Sequence, residues 1–110
     1  MCIRDRASAG SLLRLPVSID CELADLRQHL GPIEPSFVAL DLVGEDLYSA
    51  DLSGTVVLLL GNEGAGLGSR VLAGADRRLA IPMSAPLESL NVAVAAAVTL
   101  FERRRRLRSV

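Results

Sequence analysis

An apolar run that leads directly into a glycine-rich loop constrains this chain more than any other feature. Val56–Leu60 contains only valine and leucine, which predicts a fully buried strand of a parallel sheet. The loop that follows has glycine at positions 61, 64, 66 and 68, with the carboxylate of Glu63 among them. Ligands of open α/β sheets bind beyond the carboxyl ends of the strands, and glycine lets a ligand approach the backbone. We therefore expect the functional site at this loop.

The other hydrophobic patterns predict helices that alternate with strands. Further strands are predicted at Val17–Ile19, Phe37–Val43 and Arg78–Pro82. Helices are predicted at Asp20–Leu30 (with Ser18 or Asp20 as N-cap), Leu67–Ala75 and Ser89–Leu107, and a polar loop at Gly44–Gly54. This alternation is typical of an α/β fold with a mostly parallel sheet flanked by helices.

The last predicted helix has the clearest periodicity. One stripe is formed by Leu90, Val94, Val98 and Phe101, yet the first half of this helix is apolar nearly all round. A small domain can rarely bury such a helix by itself, so we expect a homodimer interface along it. The arginines at 103–106 and 108 either complement the negative end of the helix dipole or form a phosphate-contact site.

Composition limits the function classes. A chain of 110 residues is long enough for one domain, and its net charge of -1 provides no overall basic field for nucleic acid. His29 is the only histidine, and Cys2 and Cys21 have no CxxC spacing, so neither a metal site nor a disulfide scaffold is predicted. No segment has the length of a membrane span or the pattern of a signal peptide, so we expect a cytoplasmic protein without a membrane contact.

The glycine loop fails the two familiar phosphate-binding patterns. A P-loop needs a lysine, and this chain has none. A Rossmann fingerprint needs a third glycine where this chain has Ser69. Considered alone, the loop is equally well explained as a tight turn from strand to helix.

Three motifs in the second half of the chain favour a ligand-binding loop over a simple turn. Leu59–Leu67, Ile81–Met83 and Leu87–Ala95 resemble the last two conserved blocks of the SpoU/TrmH-type RNA ribose 2′-O-methyltransferases, which belong to the SPOUT superfamily. Ala7–Pro16 is similar to the stretch that follows the first block of that family. The most diagnostic element is Ser-Leu-Asn-Val at 89–92, ahead of an alanine-rich helix.

This resemblance implies a fold, a reaction and an assembly. The fold would be a SPOUT-like α/β sheet with a C-terminal deep trefoil knot over about 56–106, truncated at its N-terminal side. The reaction would be methyl transfer from S-adenosylmethionine to a ribose 2′-hydroxyl of tRNA or rRNA. The enzymes of this family work as homodimers with the last helix in the interface, which agrees with the apolar helix described above.

The resemblance also assigns roles to matched positions. Six positions would bind the cofactor through backbone and apolar contacts: Gly61, Asn62, Gly66, Ile81, Met83 and Leu90. Three polar positions would line the reacting end: Glu63, Ser89 and Asn91. Each of the three also has a purely structural alternative. Ser89 and Asn91 would cap the helix, and Glu63 would be a solvated loop carboxylate.

The first block of the family, with the arginine that activates the ribose hydroxyl, would lie upstream of Ala7. Residues 1–6 do not match it, so we expect a leader foreign to the domain at 1–6 and a partial methyltransferase domain at 7–110, and we assign no role to Arg4 or Arg6. One alternative is a non-catalytic knotted dimer that binds RNA or a protein partner. Another is an unrelated nucleotide-binding α/β domain, which the failed phosphate patterns disfavour.

Overall fold

The computed structural model describes residues 15–61, 67–84 and 91–108. The helices and strands in these ranges are α1 (Leu23–Leu30), β1 (Ser36–Asp46), β2 (Val56–Leu59), α2 (Ser69–Ala73), β3 (Arg77–Ala80) and α3 (Val92–Arg108). A short 3-10 turn, Gly31–Ile33, follows α1. The alternation of helices and parallel strands confirms the predicted α/β class.

The described strands form one parallel sheet in the order β2-β1-β3. Ala39 of β1 lies opposite Leu59 of β2 on one side and opposite Arg78 of β3 on the other. The carboxyl ends of β2 and β3 therefore lie at the same edge of the sheet, one on each side of β1. Adjacent strands are about 4.8 Å apart, so roughly 10 Å of sheet separates these two ends.

The pairing between β1 and β3 changes register in the middle of β1. Leu79 is paired with Leu40 before the shift and with Glu45 after it, and residues 41–44 lie between the two pairings. Gly44 lies directly against β3, because a Cβ atom built on it would be 2.7 Å from the carbonyl oxygen of Arg78. Contacts that short are essentially never made by real Cβ atoms, so this position requires glycine.

The core lies on one face of the sheet. Its fully buried members are Val38, Leu47, Ala50, Leu52 and Leu79. Leu47, Ala50 and Leu52 come from the segment between β1 and β2, so this segment is part of the core rather than a solvated loop. On the opposite face, Phe37 is buried and the guanidinium of Arg27 in α1 lies 4.0 Å from the centre of its ring.

The structure corrects two local predictions near the start of the chain. Val17–Ile19 is not a strand, and Val17 and Ile19 are 60% and 82% exposed. A strand requires a neighbour to satisfy its backbone, and no described strand pairs with this stretch. The N-cap of α1 is Glu22, without a side-chain cap bond, rather than Ser18 or Asp20. Asp20 has a φ of 55°, which is not helical, and it lies two residues before the N-cap.

The boundary of β1 also differs from the prediction. The strand continues through Gly44 to Asp46, where the sequence predicted that a polar loop begins. The pairing of Glu45 and Asp46 with β3 explains the difference, since backbone pairing places no demand on side-chain polarity.

Helix α3 packs on the core with one side. Val98 contacts the core and Thr99 is buried, with its hydroxyl donating to the carbonyl of Ala95 at 2.9 Å. Val94 and Phe101, which share the predicted stripe with Val98, are 48% and 73% exposed. The stripe therefore does not coincide with the side that packs on the core of this chain, and the second contact predicted for this helix stays a prediction. None of the described helices has the length and apolar character that crossing a bilayer requires.

Candidate active site

The carboxyl edge of the sheet brings together candidates from two separate motifs. Gly61 follows β2 after one intervening residue, and Ile81 follows β3 directly. Both are half-buried, and Ile81 packs against the hydrophobic core. Leu59 and Arg78 both lie opposite Ala39 of β1. Gly61 is two residues after Leu59, and Ile81 is three residues after Arg78. The structure thus places Gly61 and Ile81 at the same edge, on either side of β1.

Two further candidates are described beyond these strand ends. Met83 is half-buried two residues after Ile81. Asn91 is exposed and lies immediately before α3, where its side-chain oxygen accepts a hydrogen bond from the backbone N–H of Ala93 at 2.8 Å. This bond satisfies one of the free donors at the helix start, so the capping role considered for Asn91 is present. Its role at a reacting centre stays a prediction.

The remaining five candidates lie outside the described residues: Asn62, Glu63, Gly66, Ser89 and Leu90. Their assignments rest on the sequence motifs alone. The described residues contain no group of three histidine, cysteine, aspartate or glutamate side chains that would hold a metal ion.

Sequence reasoning missed a neighbour of the candidate site, the chain that follows the register shift in β1. The backbone N–H of Leu47 donates to the carbonyl of Ala80 at 3.0 Å, so Leu47 lies beside the peptide that leads into Ile81. A signal for this arrangement was present, since a glycine within a strand-like run often marks close backbone approach. Gly44 is that glycine.

The arginines of α3 do not form one uniform cluster. Arg106 donates from Nη2 to the carbonyl of Leu47 at 2.6 Å and from Nη1 to the carbonyl of Ala50. Arg103 donates to the carbonyl of Leu52 at 3.0 Å from Nε and to that of Gly54 at 2.5 Å from Nη2. These two side chains therefore bind the segment between β1 and β2, a role that neither the dipole nor the phosphate hypothesis included.

Glu102 completes this arrangement. Its carboxylate is 10% exposed, accepts 2.6 and 3.1 Å hydrogen bonds from Arg105, and accepts a third, at 3.0 Å, from Nε of Arg106. The hydrogen bonds from Arg105, and then those from Arg106, lower the pKa of Glu102 to about 2. By contrast, Arg104 and Arg108 are exposed, and within the described part of the chain neither has a carboxylate at ion-pair distance.

A cavity of about 250 Å³ lies between α3, β2 and the residues before β2. Its lining includes Thr55, Val56, Thr99, Leu100 and Arg103. None of the described candidates for the cofactor site lines this cavity. It is therefore separate from the carboxyl edge where Gly61 and Ile81 lie.

Comparison with known proteins identifies relatives over nearly the whole chain. The model of the SpoU rRNA Methylase family matches residues 4–101. The 23S rRNA (guanosine-2'-O-)-methyltransferase RlmB of Xanthomonas campestris pv. campestris is 43% identical over 101 residues, which are 88% of this chain and 39% of that protein. An uncharacterized tRNA/rRNA methyltransferase of Mycolicibacterium smegmatis is 38% identical over 105 residues, or 94% of this chain and 33% of that protein. The chain thus spans about two-fifths or less of the length of these relatives.

Solved structures agree with this relationship. The SpoU methyltransferase AviRb from Streptomyces viridochromogenes, in complex with the cofactor AdoMet, superposes with a TM-score of 0.78 at 33% identity, over 93% of this chain and 41% of that one. An AdoMet-bound rRNA methyltransferase from Sinorhizobium meliloti gives a TM-score of 0.80 at 36% identity, over 93% and 40%. The motif at the carboxyl edge, the parallel sheet and these relatives agree, and the chain belongs to the SpoU rRNA methylase family.

Proposed function

We propose that this chain is the cofactor-binding part of an RNA 2′-O-methyltransferase that acts on rRNA or tRNA in the cytoplasm. The observation that carries the proposal is the placement of Gly61 and Ile81 at one edge of a parallel sheet, each within a family motif. S-adenosylmethionine would supply an electrophilic methyl group on a sulfonium centre. Relatives of the same family, AviRb and the Sinorhizobium meliloti enzyme, hold AdoMet in their crystal structures.

The described residues suit such a ligand. Gly61 has no side chain, so an adenosyl group can lie against its backbone. Ile81 presents an apolar, half-buried surface that suits the face of an adenine ring, and Leu90 is proposed opposite it. Asn62, Gly66 and Met83 would extend this slot, and the polar residues Glu63, Ser89 and Asn91 would line its reacting end. Fixed polar groups in a mostly uncharged pocket are suited to a sulfonium cation.

We also propose that the C-terminal part of the chain forms a trefoil knot. The support is the double pairing of Leu79 with Leu40 and Glu45. A β-strand can pair along both of its long edges. Because Leu79 pairs with both Leu40 and Glu45, we infer that β1 pairs first with one edge of β3 and then with the other, and crosses β3 between these two residues. The close approach of Gly44 to Arg78 lies on this passage. The connection between β1 and β2 would then surround β3, as a knot requires.

A homodimer through α3 is the third part of the proposal. The outer face of the first half of this helix carries Val94, Leu100 and Phe101, which are 48%, 55% and 73% exposed. An apolar helix face of this kind is expected to be covered by another surface. A second copy of the chain supplies an identical face, and self-complementary contacts of this type generate twofold dimers.

The reaction is tested with this chain preceded by the first block of the family, incubated with S-adenosylmethionine labelled in its methyl group and with unmodified rRNA and tRNA. After digestion of the RNA to nucleosides, the label is expected on ribose 2′-oxygens. Recovery of the label on bases would contradict the proposed acceptor. Label in tRNA alone, or in rRNA alone, would identify the substrate class.

A further inference from the structure

The segment Leu47–Gly54, which connects β1 to β2, is held to α3 by side chains far away in the sequence. Arg106 binds the carbonyls of Leu47 and Ala50, and Arg103 binds those of Leu52 and Gly54. We call these four bonds the arginine clasp. The two partners of each bond are separated by 49 to 59 residues, so the clasp is a tertiary feature and not a local turn.

The guanidinium of Arg106 in the clasp is held in one orientation. The Arg106 side chain is 23% exposed, and its Nε is held by the nearly buried carboxylate of Glu102 at 3.0 Å. The planar guanidinium therefore has a fixed orientation, and its remaining donors point to two carbonyls of the segment. A lysine at this position would keep the charge but would lose the planar fork.

Both ends of the clasped segment lead to the proposed cofactor slot. At one end, the N–H of Leu47 donates to the carbonyl of Ala80 at 3.0 Å. Ala80 is the last residue of β3, and Ile81 follows it. At the other end, Gly54 has a φ of 77°, and β2, which begins at Val56, leads to Gly61. A shift of the segment would therefore move Ile81 and Gly61 relative to each other.

From this connection we propose that Arg103 and Arg106 are positioning residues for the cofactor slot. They would act through the segment, by fixing the distance between the strand ends that carry Gly61 and Ile81, and would touch no cofactor themselves. This inference rests on the proposed function, since it assumes that Gly61 and Ile81 form the slot.

A purely structural role is the competing explanation, and the chain offers a matched control for it. Arg27 also joins distant parts of the fold, because it donates to the carbonyl of Gly74 and pairs with Asp76 at 3.4 Å. Asp76 in turn accepts from the N–H of Phe37 at 2.8 Å, at the amino ends of β1 and β3. Arg27 therefore stabilises the end of the sheet opposite to the slot.

The experiment compares Arg106→Lys, Arg103→Lys and Arg27→Lys with the parent chain. Affinity for S-adenosylhomocysteine is measured by calorimetry, and the unfolding midpoint of each ligand-free protein by circular dichroism. We expect Arg106→Lys and Arg103→Lys to bind at least tenfold more weakly while still folded. Arg27→Lys should lose a similar amount of stability and keep its affinity within twofold. In hydrogen exchange, the amide of Leu47, which donates to the carbonyl of Ala80, should lose protection in the two clasp variants only.

The outcomes separate the two proposals. If the parent binds the ligand and the clasp variants bind equally well, the positioning role is wrong and the proposed function stands. If affinity falls with the unfolding midpoint in all three variants alike, the positioning role is also wrong. If a clasp variant fails to fold, the affinity and the exchange of the Leu47 amide in the other one decide. A folded parent that does not bind the ligand contradicts the proposed function and this inference together.

Discussion

Glu102 and Arg106 lie one helical turn apart in α3, and Nε of Arg106 donates to the Glu102 carboxylate at 3.0 Å. This ion pair orients the guanidinium toward the carbonyls of Leu47 and Ala50. A surface pair at this spacing contributes little by itself. Here its effect is larger because the pair aims a side chain that fastens the connection between two strands to the last helix.

The first prediction concerns the acid stability that this pair provides. The pKa of Glu102 is lowered from an ordinary value of 4.5 to about 2. A carboxyl with a lower pKa in the folded state stabilises that state above its unfolded pKa, so the contribution is complete above about pH 5 and is lost as the pH falls toward 2. Glu102→Gln should therefore be less stable than the parent at pH 7, and the difference should shrink by pH 3.

Urea unfolding at pH 7, 5 and 3 measures this dependence. Glu45→Gln is the control, since Glu45 also pairs with an arginine but its side chain is 50% exposed. A constant difference between Glu102→Gln and the parent across these pH values would contradict the prediction.

The second prediction concerns the close approach of β1 to β3 at Gly44. Gly44→Ala should destabilise the fold by about 1–3 kcal/mol, because the new methyl group would overlap the Arg78 backbone. Gly68→Ala is the control, since nothing lies within 4 Å of its Cβ position and its φ of -66° and ψ of 156° are open to any residue. That change should alter stability by less than about 1 kcal/mol. Equal unfolding free energies for the two variants would show that β1 does not approach β3 as described.

The third prediction tests the homodimer. Phe101 is 73% exposed on the outer face of α3, so Phe101→Glu would place a charge in the middle of the proposed interface. Multi-angle light scattering should give a dimer for the parent and a monomer for this variant. Ile19→Glu alters an apolar side chain that is 82% exposed in the stretch before α1, and it should remain dimeric. A monomeric parent would refute the interface.

The fourth prediction separates the arginines that are available for a phosphate contact from those that hold the fold. Arg104 and Arg108 are exposed on α3, whereas Arg103 and Arg106 are committed to backbone carbonyls. Arg104→Gln with Arg108→Gln should weaken binding to rRNA and lower the slope of log affinity against log salt by roughly 1.5 to 2, with the unfolding midpoint unchanged. An unaltered slope would leave both arginines as solvated residues of a helix end.

Much of this fold follows from local pattern. The strand at Val56–Leu60 and the helix at Asp20–Leu30 were predictable, because apolar patterns and breakers such as Gly31 act over a few residues. The full burial predicted for that strand is wrong, since β2 lies at the edge of the described sheet, its residues are only half-buried and Leu60 is 38% exposed. The edge that gathers Gly61 and Ile81 was also predictable, since each ends a strand within a family motif. The same motifs identified the family.

Features that depend on long-range contact could not be predicted in this way. Nothing near Arg103 or Arg106 in the sequence indicates that their partners lie 49 to 59 residues earlier. Asp46 continues a strand despite polar neighbours, because β3 pairs with its backbone. The side of α3 that faces the core was not predictable either. Its apolar residues surround the helix, and only the position of the core selects Val98 over Val94 and Phe101.

We propose above that Gly61 and Ile81 form two sides of a slot for S-adenosylmethionine. Calorimetric titration of the folded chain with S-adenosylhomocysteine tests it most directly, with Ile81→Asp as the variant and ATP as the comparison ligand. We expect saturable binding of one molecule per chain, loss of that binding in Ile81→Asp, and no binding of ATP. The proposed slot would be contradicted if the folded parent chain did not bind S-adenosylhomocysteine, or if the Ile81→Asp variant bound it as well as the parent does.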